Sequence, residues 1–97
     1  MSSYNYIAKS MQEVRGLTVN DAVAKRISDL LKEKGMTQYR LEQNSGIQHG
    51  SMQCIINGRN KTVTLSMVIR LARGFDMPLH EFLNDEIFQS EDLEIEL

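Results

Sequence analysis

The chain has 97 residues, of which 41% are hydrophobic, enough for one small domain with a modest core. Its 11 Lys and Arg against 13 Asp and Glu give a net charge of −2, which argues against an evenly basic surface. Because the sequence has no apolar run of 18 residues and no apolar leader, we expect a cytoplasmic protein that does not associate with a membrane. Because it has one cysteine, Cys54, we expect no internal disulfide, and we also expect no metal site and no cofactor.

The charge is unevenly distributed. Residues 1–76 contain all 11 Lys and Arg and only 6 Asp and Glu, a net charge of +5, whereas residues 77–97 contain 7 acids and no Lys or Arg. Nucleic-acid affinity depends on where cations meet phosphates, so an acidic segment directed away from a duplex costs little. The overall charge therefore does not exclude a nucleic-acid partner.

Residues 1–17 carry apolar side chains without one clean period. They permit either a short helix from about Asn5 to Arg15 or a loosely ordered arm. The next segment is clearer, because Thr18 or Asn20 can cap a helix over about residues 21–34. Its apolar positions recur at helical spacing, as Val23, Ile27, Leu30 and Leu31. Its cations are expected to be solvated, with phosphate contact as the alternative: Lys25, Arg26, Lys32 and Lys34.

Residues 36–59 predict two short helices separated by a turn. Thr37 is a good N-cap for a helix that reaches about Asn44, and Gly46 forces a turn after it. A second helix fits from Gln48 to Asn57, with Gly58 just beyond its end. Its expected buried stripe is Met52, Ile55 and Ile56.

Two more helices are predicted after a polar loop. Thr64 can cap a helix to about Arg73 that ends at Gly74, and Pro78 can begin a last short one. The positions expected to face the core are Leu65, Val68, Ile69 and Ala72 in the first, then Phe75, Met77, Leu79, Phe82 and Leu83. The sequence thus predicts five helices in succession.

Residues 85–97 alternate acids with apolar residues. Three interpretations remain open. The segment could be a solvated, disordered tail. Because apolar and acidic residues alternate with a period of two near its end, the segment could instead form a strand against the same segment of a second subunit. A third possibility is an amphipathic helix at a dimer contact. The predicted organisation is therefore an arm or helix over 1–17, a domain over 18–84 and an acidic tail over 85–97.

The order and spacing of several residues resemble the phage repressor and Cro type of helix-turn-helix domain, also called XRE-like. The matching residues are Gly35, Met36, Thr37, Gln38, Leu41, Ser45, Gly46, Ile47, Asn57 and Gly58. The resemblance covers roughly residues 20–84. It implies a compact, all-α, five-helix lambda-repressor-like fold that binds double-stranded DNA, commonly as a homodimer.

The resemblance implies that the second helix of the motif reads base edges. The residues concerned are Gln48, His49, Gly50, Gln53 and Cys54. Gln can pair with adenine N6 and N7, and His can donate to guanine N7 or O6, so His49 and Gln53 are the main candidates. Gly50 and Cys54 offer few hydrogen bonds, so readout could be sparse or partly by DNA shape.

Phosphate contacts are expected around the same motif. Gln38 is assigned such a contact by the resemblance, and Thr37 beside it can also act simply as a cap. The full set of expected phosphate contacts is Thr37, Gln38, Ser51, Asn57, Arg59, Asn60 and Lys61.

These features favour a sequence-specific DNA-binding transcriptional regulator, a repressor, that acts as a dimer on an inverted repeat. The alternative is a protein-interaction module, such as an antitoxin, whose acidic and apolar tail binds a partner. An enzyme is disfavoured, because His49 and His80 belong to different predicted helices and Cys54 has no evident base beside it.

Overall fold

The computed structural model describes residues 17–60 and 62–95. These residues form six helices and no strand: α1 (Val19–Lys34), α2 (Gln38–Ser45), α3 (His49–Ile56), α4 (Leu65–Gly74), α5 (Leu79–Phe82) and α6 (Glu86–Gln89). The all-α prediction is confirmed, and the five predicted helices correspond to α1 to α5. The predicted N-terminal arm or helix lies outside the described residues except for Leu17.

Three threonines begin the three helices for which the sequence predicted them as caps. The Thr18 hydroxyl accepts from the Asp21 backbone N–H at 3.1 Å, and the Asp21 carboxylate accepts from the Thr18 N–H at 3.2 Å. At the starts of α2 and α4, the hydroxyls of Thr37 and Thr64 each accept a hydrogen bond of 3.1 Å from the backbone N–H three residues on. Each cap satisfies an N–H that a helix start leaves without an internal partner.

The core lies where α1 to α5 meet. Its largest fully buried side chains are Phe75, Phe82, Ile27, Leu41, Met52, Ile55, Leu71 and Val23. The predicted inward set of α4 is partly wrong, since Leu65 is 62% exposed and Leu71, which was not predicted, is fully buried. The buried stripe of α4 runs through Val68, Leu71 and Ala72 to Phe75, so Leu65 at the first turn lies outside it.

Helices α4 and α2 approach each other closely at Gly74. A Cβ at Gly74 would lie 2.8 Å from Cδ1 of Leu41 and 2.9 Å from Cβ of Ser45. The Gly74 carbonyl also accepts a hydrogen bond from Asn44 Nδ2 at 3.3 Å. A glycine at the end of α4 therefore allows α2 to lie directly on it.

Arg26 of α1 ties the C-terminal part of the chain to the core. Its Nε donates to the carbonyl of Phe82 at 2.7 Å, and its Nη2 donates to that of Glu81 at 2.9 Å. Nη1 lies 3.4 Å from the Asp85 carboxylate, and only 11% of the arginine side chain is exposed. The guanidinium thus joins α1 to two carbonyls at the end of α5 and to the carboxylate that follows them.

The segment after α5 folds back on α1. Asp85 caps α6 by accepting from the Ile87 N–H at 3.0 Å, and Ile87 is buried against Ala22. Further along, Glu94 forms an isolated parallel bridge with Thr18. The interpretation of a disordered tail is therefore wrong for residues 85–94. The bridge partner of Glu94 is this chain's own α1 start, not a second subunit; the division at residue 84 stays a prediction.

Two helical glycines provide a test of the α2–α4 contact. Gly74→Ala should destabilise the fold by about 1–3 kcal/mol, because its methyl group overlaps Leu41 and Ser45. Gly50→Ala is the matched control, since nothing lies within 4 Å of a Cβ there and alanine favours helix by up to about 1 kcal/mol. Urea unfolding of both variants measures the difference. Equal stability changes would contradict the close contact.

Candidate nucleic-acid interface

Helices α2 and α3 are joined by a tight turn of residues 46–48. Gly46 has a φ of 74°, a left-handed conformation that disfavours side chains with a Cβ. Ile47 is buried, and its backbone N–H donates to the Ser45 hydroxyl at 3.2 Å. The turn is thus held by buried Ile47 and by hydrogen bonds from the Gly46 and Ile47 N–H groups back to α2, and it sets the direction of α3.

One side of α3 packs inward and the other faces solvent. Met52 and Ile55 are buried as predicted, whereas Ile56 is only half-buried. The exposed residues of the helix and its two caps are Gln48, His49, Gly50, Ser51, Cys54 and Asn57, and Gln53 is half-buried. Cys54 is exposed and therefore does not pack in the core.

The residues expected at phosphates differ in how accessible their polar groups are. Ser51, Asn57 and Arg59 are exposed. The Thr37 hydroxyl already accepts from the Arg40 N–H. Asn60 has internal partners, since its carbonyl accepts from the Asn20 amide and its own amide donates to the Met67 sulfur at 3.7 Å. Lys61 lies outside the described residues.

A cleft beside the start of α3 is lined by a cationic side chain that the sequence did not suggest as part of the interface. The cleft has a volume of about 350 Å³ and is lined by the turn, by α3 and by the N-terminal half of α4. Gln48 and Ser51 line the cleft together with Arg70 of α4. Helical spacing marked α4 as a packing element, so only the tertiary arrangement indicates Arg70.

Glu42 links the two helices of the motif through one carboxylate oxygen. Gln38 Nε2 donates to Glu42 Oε2 at 2.9 Å, and Nδ1 of His49 lies 2.9 Å from the same oxygen. On α3, Gln53 Nε2 lies 3.4 Å from Nε2 of His49. A continuous chain of four polar side chains thus joins an expected phosphate contact to both main base-contact candidates.

The electrostatics of Glu42 follow from these contacts. The hydrogen bond from Gln38, and then that from His49, holds the pKa of the Glu42 carboxyl below the 4.5 of an ordinary glutamate, against an opposing effect of desolvation. Glu42 is therefore ionised at neutral pH. Its side chain is 13% exposed, while that of His49 is 68% exposed, so the carboxylate supports the imidazole from beneath.

Sequence reasoning missed Glu42. The one available signal was its spacing four residues after Gln38, which puts the two side chains on one face of α2. Its contact with His49 crosses the turn and could not be read from helical spacing.

Among the described residues, no group of three or more His, Cys, Asp or Glu is arranged to hold a metal ion. None of the helices in 17–60 and 62–95 combines the length and apolar character needed to span a bilayer.

Comparison with known protein families gives one result. A family model described as the Cro/C1-type HTH DNA-binding domain matches residues 26–86. No curated protein and no solved structure matches the chain. The matched residues contain all of α2 to α5, most of α1, and the interface described above.

The state of Glu42 can be tested by titration. The carboxyl ¹³C NMR signal of Glu42 should titrate with a midpoint below pH 4.5. Gln38→Ala should raise this midpoint, because it removes the main hydrogen bond to the carboxylate. Since the folded-state pKa is below the unfolded one, ionised Glu42 stabilises the fold above about pH 4.5, and this is lost as pH falls through the folded-state pKa. Gln43→Ala, an exposed neighbour on α2, is the control. An unchanged midpoint in Gln38→Ala would refute the assigned cause.

Proposed function

This chain belongs to the family of Cro/C1-type helix-turn-helix DNA-binding domains, and on that premise we propose that it is a transcriptional repressor that recognises a specific duplex sequence. It does so by placing α3 in the major groove, which is about 12 Å wide and admits one helix. The observation that carries this proposal is the two-sided character of α3. Buried Met52 and Ile55 hold the helix, while a continuous polar side is exposed to solvent.

Base recognition in this proposal depends mainly on His49 and Gln53. Both lie on one face of α3, four residues apart, and the imidazole is largely exposed. Gln48 lies at the start of the helix, where base edges are closest in this type of docking. Gly50 and Cys54 are exposed but contribute few hydrogen bonds, so the shape of the DNA supplies part of the selectivity.

Cations near both ends of α3 position the protein on the phosphates. Arg59 is exposed shortly after the helix, and Arg70 is exposed and lines the cleft together with Ser51. Arginine pairs well with phosphate because its guanidinium can donate two parallel hydrogen bonds. These contacts carry no base information but set the register of α3 in the groove.

We propose that the protein acts as a two-fold dimer, because one eight-residue α3 contacts few bases. Two copies one helical turn apart, about 34 Å, would match an inverted repeat and roughly double the base contacts. Occupancy of such an operator would block transcription.

The protein-interaction alternative gains no specific support. It requires apolar residues of the C-terminal segment to be available for a partner. In the part of the chain that the structure describes, Ile87 is buried, and Phe88 and Leu93 pack partly buried beside it. Among the apolar residues of this segment up to residue 95, only Ile95 is strongly exposed, at 69%.

Base and phosphate roles can be separated by selecting bound sequences from random duplexes. His49→Ala and Gln53→Ala should relax the preference at particular positions, each by about 1–3 kcal/mol. Arg59→Ala should weaken binding to all sequences. It should also reduce the slope of log affinity against log salt concentration by about 1, the amount expected for one phosphate contact. Gln43→Ala serves as the control. Equal, sequence-independent losses for all three variants would rule out these roles, and failure of the wild type to enrich any sequence would rule out specific binding.

The dimer can be tested with duplexes that carry two inverted copies of the selected half-site. Binding should be cooperative when the half-site centres are about 10 base pairs apart and weaker at about 15, which turns one half-site to the opposite side of the helix. Gel shifts with both duplexes measure this difference. Spacing-independent binding of single copies would argue against the dimer.

A further inference from the structure

Glu42 restricts how His49 can carry its protons. An ionised carboxylate only accepts hydrogen bonds, so Nδ1 of His49, 2.9 Å from it, must be the nitrogen that bears the hydrogen. The other ring nitrogen of a neutral imidazole is then an acceptor. Glu42 is in turn held by Gln38 on its own helix, so the ring is supported from α2.

The orientation of Gln53 follows from that of His49. Its amide lies 3.4 Å from Nε2 of the ring, and an acceptor nitrogen there requires the NH₂ end of the amide to face it. One N–H of Gln53 is used in this contact. The second N–H and the carbonyl oxygen remain for a base, as one donor beside one acceptor.

That pair of groups is complementary to adenine. In the major groove adenine presents the N6 amino donor beside the N7 acceptor, whereas guanine presents two acceptors, O6 and N7. A glutamine held in this orientation would set its carbonyl oxygen against guanine O6, two acceptors without a shared hydrogen. Adenine is therefore favoured over guanine at the base that faces Gln53.

We propose that Glu42 is a specificity-determining positioning residue: acting through His49, it orients Gln53 to select adenine. This inference rests on the proposed function, since it assumes that α3 enters the major groove. It also modifies the role expected for His49. While Nδ1–H is directed to Glu42, neutral His49 has no second N–H to donate to guanine, and it acts as the support of Gln53.

The first test needs no DNA. In the full chain labelled with ¹⁵N-histidine, near pH 8.5 and about two units above the usual histidine pKa of ~6.5, ring shifts report which nitrogen bears the hydrogen. His49 should be in the Nδ1–H form in the wild type and should lose that bias in Glu42→Ala. His80, exposed on α5, is the internal reference. An unbiased His49 in the wild type would overturn the proposal.

The second test measures base preference by selection from random duplexes. Glu42→Ala should lower the preference for adenine over guanine at the Gln53 position by about fivefold or more. Glu42→Lys, which offers donors only, should reverse it, because Nε2–H of His49 would then turn the Gln53 carbonyl inward and its NH₂ toward the base. Gln43→Ala and Gln43→Lys, at an exposed position of α2, control for stability and charge and should keep the adenine preference.

The outcomes distinguish failure of the proposed function from failure of the role assigned to Glu42. If the wild type enriches no sequence, the proposed function fails whatever the histidine spectrum shows. If the wild type enriches a sequence and Glu42→Ala keeps the same adenine preference, the function stands and the role of Glu42 is refuted. Thermal unfolding of each variant shows whether a change in preference accompanies an intact fold.

Discussion

The contact between α2 and α4 at Gly74 is the constraint on which the interface depends. Leu41 and Ser45 lie so close to Gly74 that even a methyl group would overlap them. Ser45 is also the residue whose hydroxyl accepts from Ile47 in the turn. The depth at which α2 rests on α4 therefore fixes the start of the turn, and the turn fixes the direction of α3. A shift of α2 would move the polar side of α3 as a unit, because packed helices transmit strain rather than absorb it.

Glu42 places a negative charge inside an interface that is expected to face phosphates. An isolated carboxylate there would oppose binding, but this one accepts from Gln38 and His49 and is only 13% exposed. Its charge is thus engaged by the protein's own donors. Glu42 weakens the electrostatic attraction to DNA phosphates to some extent, but it fixes the geometry of the side chains on α3. Such a fixed geometry is useful where a helix has few residues able to read bases.

The acidic C-terminal segment is part of the folded unit as far as residue 94. Arg26 joins it to α1 through Phe82, Glu81 and Asp85, and the apolar residues of the segment pack beside Ala22. The segment is in this way attached to α1 and α5, and its Glu94 lines a cleft together with Arg59 and Asn60, which follow α3. At Glu94 the acidic segment therefore lies beside residues expected at phosphates, so the expectation that the whole segment is directed away from a duplex does not hold there.

Features that depend on neighbours within one helical turn were determined by the sequence. Thr18, Thr37 and Thr64 cap helices because their hydroxyls reach an N–H three residues on, and Gly46 ends α2 because it tolerates a positive φ. The stripe of Met52 and Ile55 followed from helical periodicity. Contacts between distant residues were decided only by the tertiary structure. Arg26 meets carbonyls more than 50 residues away, and Glu42 reaches His49 across the turn. Local periodicity states which residues share a face, but not which residue of another helix that face will meet.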